Sequence, residues 1–289
     1  DSHNTDELIR GSRAGADYLL SIKSETYHIL ENLDSYPILI PTNNNIQEFY
    51  KLIDRAIDDE LIFIADPILD PISYGFTESL VRYVNLREKY PDIHIMIGLG
   101  NITELTHADT SGINMIMLGI IEELKLNHIL TTQVSRHCST VIRETDLARR
   151  IIHAASENNL TPKHINDGLL VNHGHKDYAF SSNEIIEMQS NIKDKNYRIY
   201  VNDDGIHLFN KNVYKVFSDP FDFYEYLEVS NDSGHAFYLG VELARAQIAY
   251  QLKKEYQQDE ELTWGCLVDK KFDNKLQNKE LGPTFKKRK

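Results

Sequence analysis

Short apolar runs alternate with longer amphipathic stretches through the first half of this chain, and the clearest runs stop at polar clusters. Leu61-Ile62-Phe63-Ile64-Ala65 ends at Asp66-Pro67, and Ile93-His94-Ile95-Met96-Ile97 ends at Gly98-Leu99-Gly100-Asn101. A compact apolar run bounded by turn residues reads as a buried strand, whereas apolar positions at i, i+3, i+4 and i+7 mark a helix with one buried stripe. The pattern predicts strands over 17–22, 37–40, 61–65, 93–97 and 128–132. Helices are predicted over 6–14, 46–57, 77–90, 111–126 and 144–157. The helix over 46–57 shows the period through Phe49, Leu52, Ile53, Ala56 and Ile57. Strands joined through helices pair in parallel, so residues 1–157 are expected to form a parallel α/β domain.

The rhythm changes near residue 158. A strand over 169–172 and a helix over 183–192 precede two close strands, 197–201 and 206–209. Between those two strands, Asn202-Asp203-Asp204-Gly205 carries the Asp-Gly mark of a tight hairpin. Helices follow over 221–228 and 235–256, the second with Leu239, Leu243 and Ala246 on one stripe. This predicts a second, α+β domain over 158–267, set off by the breakers Asn158-Asn159 and Thr161-Pro162, and a polar, basic-ended tail over 268–289. At the other end, Asp1-Ser2 reads as the polar tip of a sixth strand, followed at once by a helix with the capping types Asn4 and Thr5. The chain is therefore expected to begin partway through a larger barrel.

With 31 Lys+Arg against 44 Asp+Glu, the net charge is −13, which leaves no dominant basic face for nucleic acid. Only Lys286-Lys287-Arg288-Lys289 is locally basic. Cys138 and Cys266 lie far apart without Cys-x-x-Cys spacing, as suits a reducing compartment. No apolar run approaches the ~20 residues of a membrane helix, and the first residues lack a signal pattern. A soluble cytoplasmic protein is expected, and the open edges of a five-stranded fragment favour a homo-oligomer.

In parallel α/β proteins the carboxyl ends of the strands line the site, which makes Asp66 and Asn101 the first candidates. Asp66-Pro67 also suits a plain turn. Gly98 and Gly100 either ease a turn or let the backbone approach a ligand. Asp109-Thr110-Ser111 caps the helix over 111–126, although a helix N-terminus in that position also attracts phosphate. Arg136, His137 and Arg143 would meet a substrate phosphate or form surface ion pairs. His173-Gly174-His175 is too sparse for a metal site, and no metal ligands are assigned. Cys138 is a loop thiol, Glu242 and Arg245 a surface pair, and Tyr238 and Trp264 core or interface aromatics.

Taken as successive strand ends, Asp1-Ser2, Ala65-Asp66-Pro67, Gly98-Leu99-Gly100-Asn101 and Thr131-Thr132-Gln133 resemble the pterin-binding barrel of dihydropteroate synthases. The markers Ala65-Asp66-Pro67-Ile68-Leu69-Asp70-Pro71, Gly98 through Thr106, and Leu130-Thr131-Thr132-Gln133-Val134-Ser135 look closest to the archaeal and methylotroph dihydropteroate synthase-related branch. His235-Ala236-Phe237-Tyr238-Leu239-Gly240 and Tyr256-Gln257-Gln258-Asp259 resemble the C-terminal module of that branch. The resemblance implies the C-terminal part of a (β/α)8 TIM barrel, holding the tip of the third strand and all of the fourth to eighth, with a second α+β domain. It implies pterin contacts from Asp1 and Asp66, the carboxylate receiving paired N–H donors. Ser21 stands where the synthases carry Asn-Asp, Asn101 near their lysine and Gln133 at their arginine.

Membership of that branch implies a transferase, when full length, of tetrahydromethanopterin-type biosynthesis. It would join a dihydropterin to an arylamine bearing a ribose phosphate and release pyrophosphate, with Mg2+ accompanying that substrate. Two alternatives stay open. Gly98-Leu99-Gly100-Asn101 also resembles the Gly-Leu-Ser-Asn of methyl-pterin:corrinoid methyltransferases, and the module could instead bind a pterin without turnover.

Overall fold

The computed structural model describes residues 2–43 and 45–269, which contain two compact units divided between Leu169 and Leu170. Asp1 and all but the first residues of the polar tail lie outside the described residues.

In the first unit, α1 (Thr5–Arg13) leads into β1 (Tyr18–Ile22), a 3-10 helix (Ser24–Asn32), β2 (Tyr36–Leu39) and α2 (Ile46–Asp58). Then come β3 (Ile64–Ala65), α3 (Phe76–Lys89), β4 (His94–Gly98), the short α4 (Gly100–Thr103), α5 (Thr110–Glu123), β5 (His128–Leu130) and α6 (Val141–Glu157). Asn4 caps α1, its side chain accepting from the N–H groups of Asp6 and Glu7 at 2.9 and 3.2 Å. Of the expected run 61–65, only Ile64 and Ala65 pair in the sheet.

All five strands are parallel and lie in chain order, β1-β2-β3-β4-β5. Right-handed crossovers stepping always to the next strand bring their helices down on the same face. That face carries the large core: Leu19, Leu39, Ala65, Ile95 and Ile97 meet Leu52, Tyr83, Leu86, Met117 and Ala148. The intervening positions form a separate small cluster of Ile38, Ile40, Ile64 and Met96, with Leu20 and Ile68 against it. Strand alternation thus sorts the side chains between two faces. A register irregularity between Leu20 and Ile22 returns Ile22 to the helix-covered core.

The sheet is strongly curled. Tyr18 and His128 belong to the two outermost strands, yet their ring centroids are 6.3 Å apart. Flat strands at about 4.8 Å spacing would stand some 19 Å from one edge to the other, too far for these rings to meet. Tyr36 lies 5.7 Å from Tyr18, and His94 lies 5.3 Å from His128. All four rings are the first residues of their strands, so they form a floor at the amino ends of the concave face.

The second unit contains α7 (Ser182–Ser190), an antiparallel meander of β6 (Arg198–Asn202), β7 (Gly205–Phe209) and β8 (Tyr214–Phe217), and α8 (Ser233–Leu252). The hairpin forms where expected, with Asn202 opposite Gly205. Leu239, Leu243 and Ala246 pack on Ile199, Val201, Ile206 and Leu208. No strand forms over 169–172, while β8 escaped the sequence pattern. The helix expected to reach residue 256 stops at Lys253, whose φ is 54°. Lys254 instead turns inward, donating to the carbonyls of Val171 and Thr263 at 2.5 and 2.7 Å beneath the Trp264 ring. The Glu242–Arg245 pair is not a surface pair: Glu242 is 1% exposed and also accepts from Tyr256 at 2.8 Å. His173 approaches the Leu252 carbonyl through Nδ1 at 3.3 Å. No described helix is long and apolar enough to cross a membrane.

His207 is fully buried on β7, bonded through Nε2 to the Asn202 side-chain oxygen at 2.7 Å and through Nδ1 to the Tyr214 hydroxyl at 2.8 Å. Burial lowers its pKa from the usual 6.5. The unfolded chain therefore takes up this proton first as pH falls, so the contribution is whole above 6.5 and lost below it. Trp264 is the sole tryptophan of the chain and reports on this unit. Its fluorescence in urea is expected to show a midpoint that falls between pH 7.5 and 5.5, and His207→Gln should flatten that dependence.

Candidate functional site

The carboxyl ends of β1 to β5 lie opposite the ring floor, and the loops leaving them are tied to one another. Asp66 follows β3, the middle strand, and its N–H extends the ladder to the Leu39 carbonyl at 2.8 Å. Asp66 as a whole is 7% exposed, and its Oδ1 accepts from the Tyr83 hydroxyl at 2.9 Å and from the Ile68 N–H at 2.8 Å. Burial drives its pKa from 3.8 up to about 6, against the opposing pull of those hydrogen bonds and of the Arg82 charge. Two donors occupy the lone pairs of Oδ1, so a ligand reaches this carboxylate without breaking them only through Oδ2.

Asn101 lies in α4 and donates to the Leu69 carbonyl at 2.7 Å, tying the loop after β4 to the loop after β3. A Cβ on Gly100 would stand 3.0 Å from the Thr132 hydroxyl, so close approach explains this glycine. A Cβ on Gly98 would meet nothing within 4 Å, and packing therefore places no demand for glycine there.

Glu104 shapes the loop after β5. It accepts from the N–H groups of Val134 and Ser135, both at 2.8 Å, and from Thr132 at 3.2 Å. Those donors hold its pKa down at about 2, the Val134 N–H contributing most. Gln133 is exposed and donates to the Ser139 carbonyl within its own loop. Ser21 is buried at the end of β1, where Leu20 and Ser21 share two backbone hydrogen bonds with Ser2, at 2.8 and 3.3 Å. Asp1 lies outside the described residues.

Arg136 and Arg143 are both exposed. His137 donates through Nε2 to the Thr103 carbonyl at 3.0 Å and meets His107 edge-on. Cys138 is buried, and burial with the nearby Glu104 pushes its thiol up to about 11. The start of α5, read first as a capped helix end and only secondarily as a phosphate position, already holds a carboxyl side chain. Glu144, 1% exposed, accepts from Thr110 at the start of α5 and Asn114 at 2.6 and 2.9 Å, and from Thr140 at the start of α6 at 2.7 Å. Asp109 takes the capping position of α5 without a side-chain cap bond. No group of three His, Cys, Asp or Glu is placed to hold a metal ion among the described residues.

Sequence reasoning missed Arg82, Tyr83, Glu104 and Glu144. Tyr83 was legible in part: it shares a stripe with Ser79 and Leu86, and a buried phenol must find a partner for its hydroxyl. Nothing local signals that the partner is Asp66.

The rise in the Asp66 pKa fixes a sign. The fold favours the neutral acid, so stability is lost as pH rises from 3.8 through about 6, a cost of about 3 kcal/mol at most. Asp66→Asn keeps an oxygen for both donors and is expected to exceed the wild type in stability at pH 8. That advantage should vanish by pH 4 in urea titrations. Glu144→Ala should lose about 3 kcal/mol, because the buried donors of Thr110 and Asn114 are stranded, whereas Glu144→Gln should lose less.

No family model matches the chain. An uncharacterized protein of Methanocaldococcus jannaschii is 30% identical over 310 residues, an alignment that takes in 91% of this chain and 57% of that protein. The chain thus spans little more than half the length of this curated archaeal relative, to which it is similar across nearly all of its own length.

Proposed function

We propose that this chain is the carboxyl-terminal part of a (β/α)8 barrel of the dihydropteroate synthase-related kind, binding a pterin at the carboxyl ends of β1 to β5. The observation that carries this reading is Asp66: a buried carboxylate ending the middle strand, fixed in place and raised in pKa by its surroundings. The unreversed strand order and the curl of the sheet support a barrel over a doubly wound fold, whose strand order reverses. The backbone bonds of Ser2 along the outer edge of β1 support a neighbouring strand on that side.

In this reading Oδ2 of Asp66 receives ring N–H donors, and Asn101 and Gln133 stand near the ring where the synthases carry basic groups. The longer protein would serve tetrahydromethanopterin-type biosynthesis. The arylamine nitrogen attacks the exocyclic methylene carbon of the dihydropterin, the carbon–oxygen bond to pyrophosphate breaks, and the amine loses its proton. Mg2+ would enter as a partner of the pyrophosphate. The corrinoid methyltransferase reading draws on the same Asn101, whose amide N–H goes to the Leu69 carbonyl.

Calorimetric titration with 6-hydroxymethyl-7,8-dihydropterin at pH 8 is expected to show binding that Asp66→Ala abolishes. Unchanged affinity in that variant would remove Asp66 from the site.

A further inference from the structure

We propose that Arg82 and Tyr83, successive residues of α3, are positioning residues that lock the Asp66 carboxylate and its loop before a ligand arrives. Oδ1 then stays with the protein, and Oδ2 is presented to an N–H donor heterocycle. This inference rests on the pterin reading for the identity of the ligand, but its geometry stands on the chain alone.

Successive helical residues point about 100° apart, and these two side chains serve different parts of one loop. The Arg82 fork donates through Nε to the Pro67 carbonyl at 3.1 Å, and through Nη2 to the Ile68 carbonyl and the Asp70 carboxylate, both at 2.7 Å. The Arg82 and Asp70 side chains are only 15% and 16% exposed, so this ion pair is screened far less than a surface pair. Tyr83, fully buried, reaches Asp66 itself.

Between those anchors Ile68 adopts φ 64°, an unfavourable conformation for a β-branched residue. Such a conformation persists only where neighbours over-determine it. Here Arg82 holds the carbonyls of Pro67 and Ile68, Asp66 takes the Ile68 N–H, and Asn101 takes the Leu69 carbonyl. The conformation places the Ile68 side chain with the concave-face cluster. A lysine at position 82 has a single ammonium group and could not reproduce the planar fork.

The test is a ligand-free titration of the Asp66 side-chain carbon by NMR in the wild type, Tyr83→Phe and Arg82→Gln. It is joined to fluorescence titrations with 6-hydroxymethyl-7,8-dihydropterin, which keeps its ring N–H donors over this range, at pH 6 and pH 8.5. Wild-type Asp66 should titrate near 6. Each variant removes a donor or a cation that favours the ionised form, so its midpoint should move up, by about one pH unit in Tyr83→Phe and by less in Arg82→Gln, whose charge acts on Asp66 more weakly than the Tyr83 hydrogen bond. Affinity should then fall about fivefold at pH 6 in Tyr83→Phe, by less in Arg82→Gln, and recover in both at pH 8.5, where all three proteins are ionised. An unmoved midpoint in a folded variant, or an equal loss of affinity at both pH values, overturns the proposal. Either variant suffices if the other fails to fold. If the wild type binds no pterin while the midpoints move as stated, the pterin reading fails and the positioning roles stand.

Discussion

Because every crossover of the first unit steps to the next strand in the same direction, the connecting helices converge on one face of the sheet. The other face must find its contacts among its own side chains. The curl of the sheet is what brings those side chains together: rings from β1 and β5, the two ends of the order, touch across the concave surface. A flat sheet of the same residues would leave Ile38, Ile64 and Met96 without the small cluster they form. The curl also separates the two ends of this unit chemically, with aromatic and histidine rings at the amino ends of the strands and loops rich in polar groups at the carboxyl ends.

Those loops are held mainly by side chains rather than by further sheet. Arg82 and Asn101 answer carbonyls of the loop after β3, Glu104 answers N–H groups of the loop after β5, and Glu144 fills the space between the starts of α5 and α6. Each of these groups is hydrogen-bonded, and for Glu144, the buried one at 1% exposure, burial would be costly without its donors. Asp66 differs in degree: two donors and a nearby cation do not offset its burial, and the carboxyl stays raised. A fold that tolerates this at the end of its central strand sacrifices stability at a position suited to receive donors from elsewhere.

The second unit follows the same rule with different groups. The Lys254 ammonium lies between two carbonyls and the Trp264 ring, Glu242 accepts from Arg245 and Tyr256, and His207 bridges Asn202 and Tyr214. Turning Lys254 inward ends α8, because Lys253 must adopt a left-handed conformation to make the turn. The apolar stripe of α8 fits the hairpin exposing Ile199, Val201, Ile206 and Leu208, and gives this unit its core.

Strand-length apolar runs and helical periods determined the order of elements in the first unit, because alternation and the 3.6-residue repeat are local properties of the chain. The hairpin at Asn202–Gly205 and the Asn4 cap were legible for the same reason. Asp66 stood out because an acid directly after an apolar run is visible without coordinates. The short pairing of β3, the early stop of α8, the burial of Glu242 and the absence of a strand over 169–172 were not legible, since each depends on what packs alongside. Only the tertiary structure decided that Tyr83 and Arg82 hold Asp66 and its loop, that Glu104 organises the loop after β5, and that Glu144 occupies the starts of two helices. Apart from Thr140, four residues before Glu144, these partners lie 12 to 34 residues apart in the chain, and no local period can specify which donor will meet which acceptor.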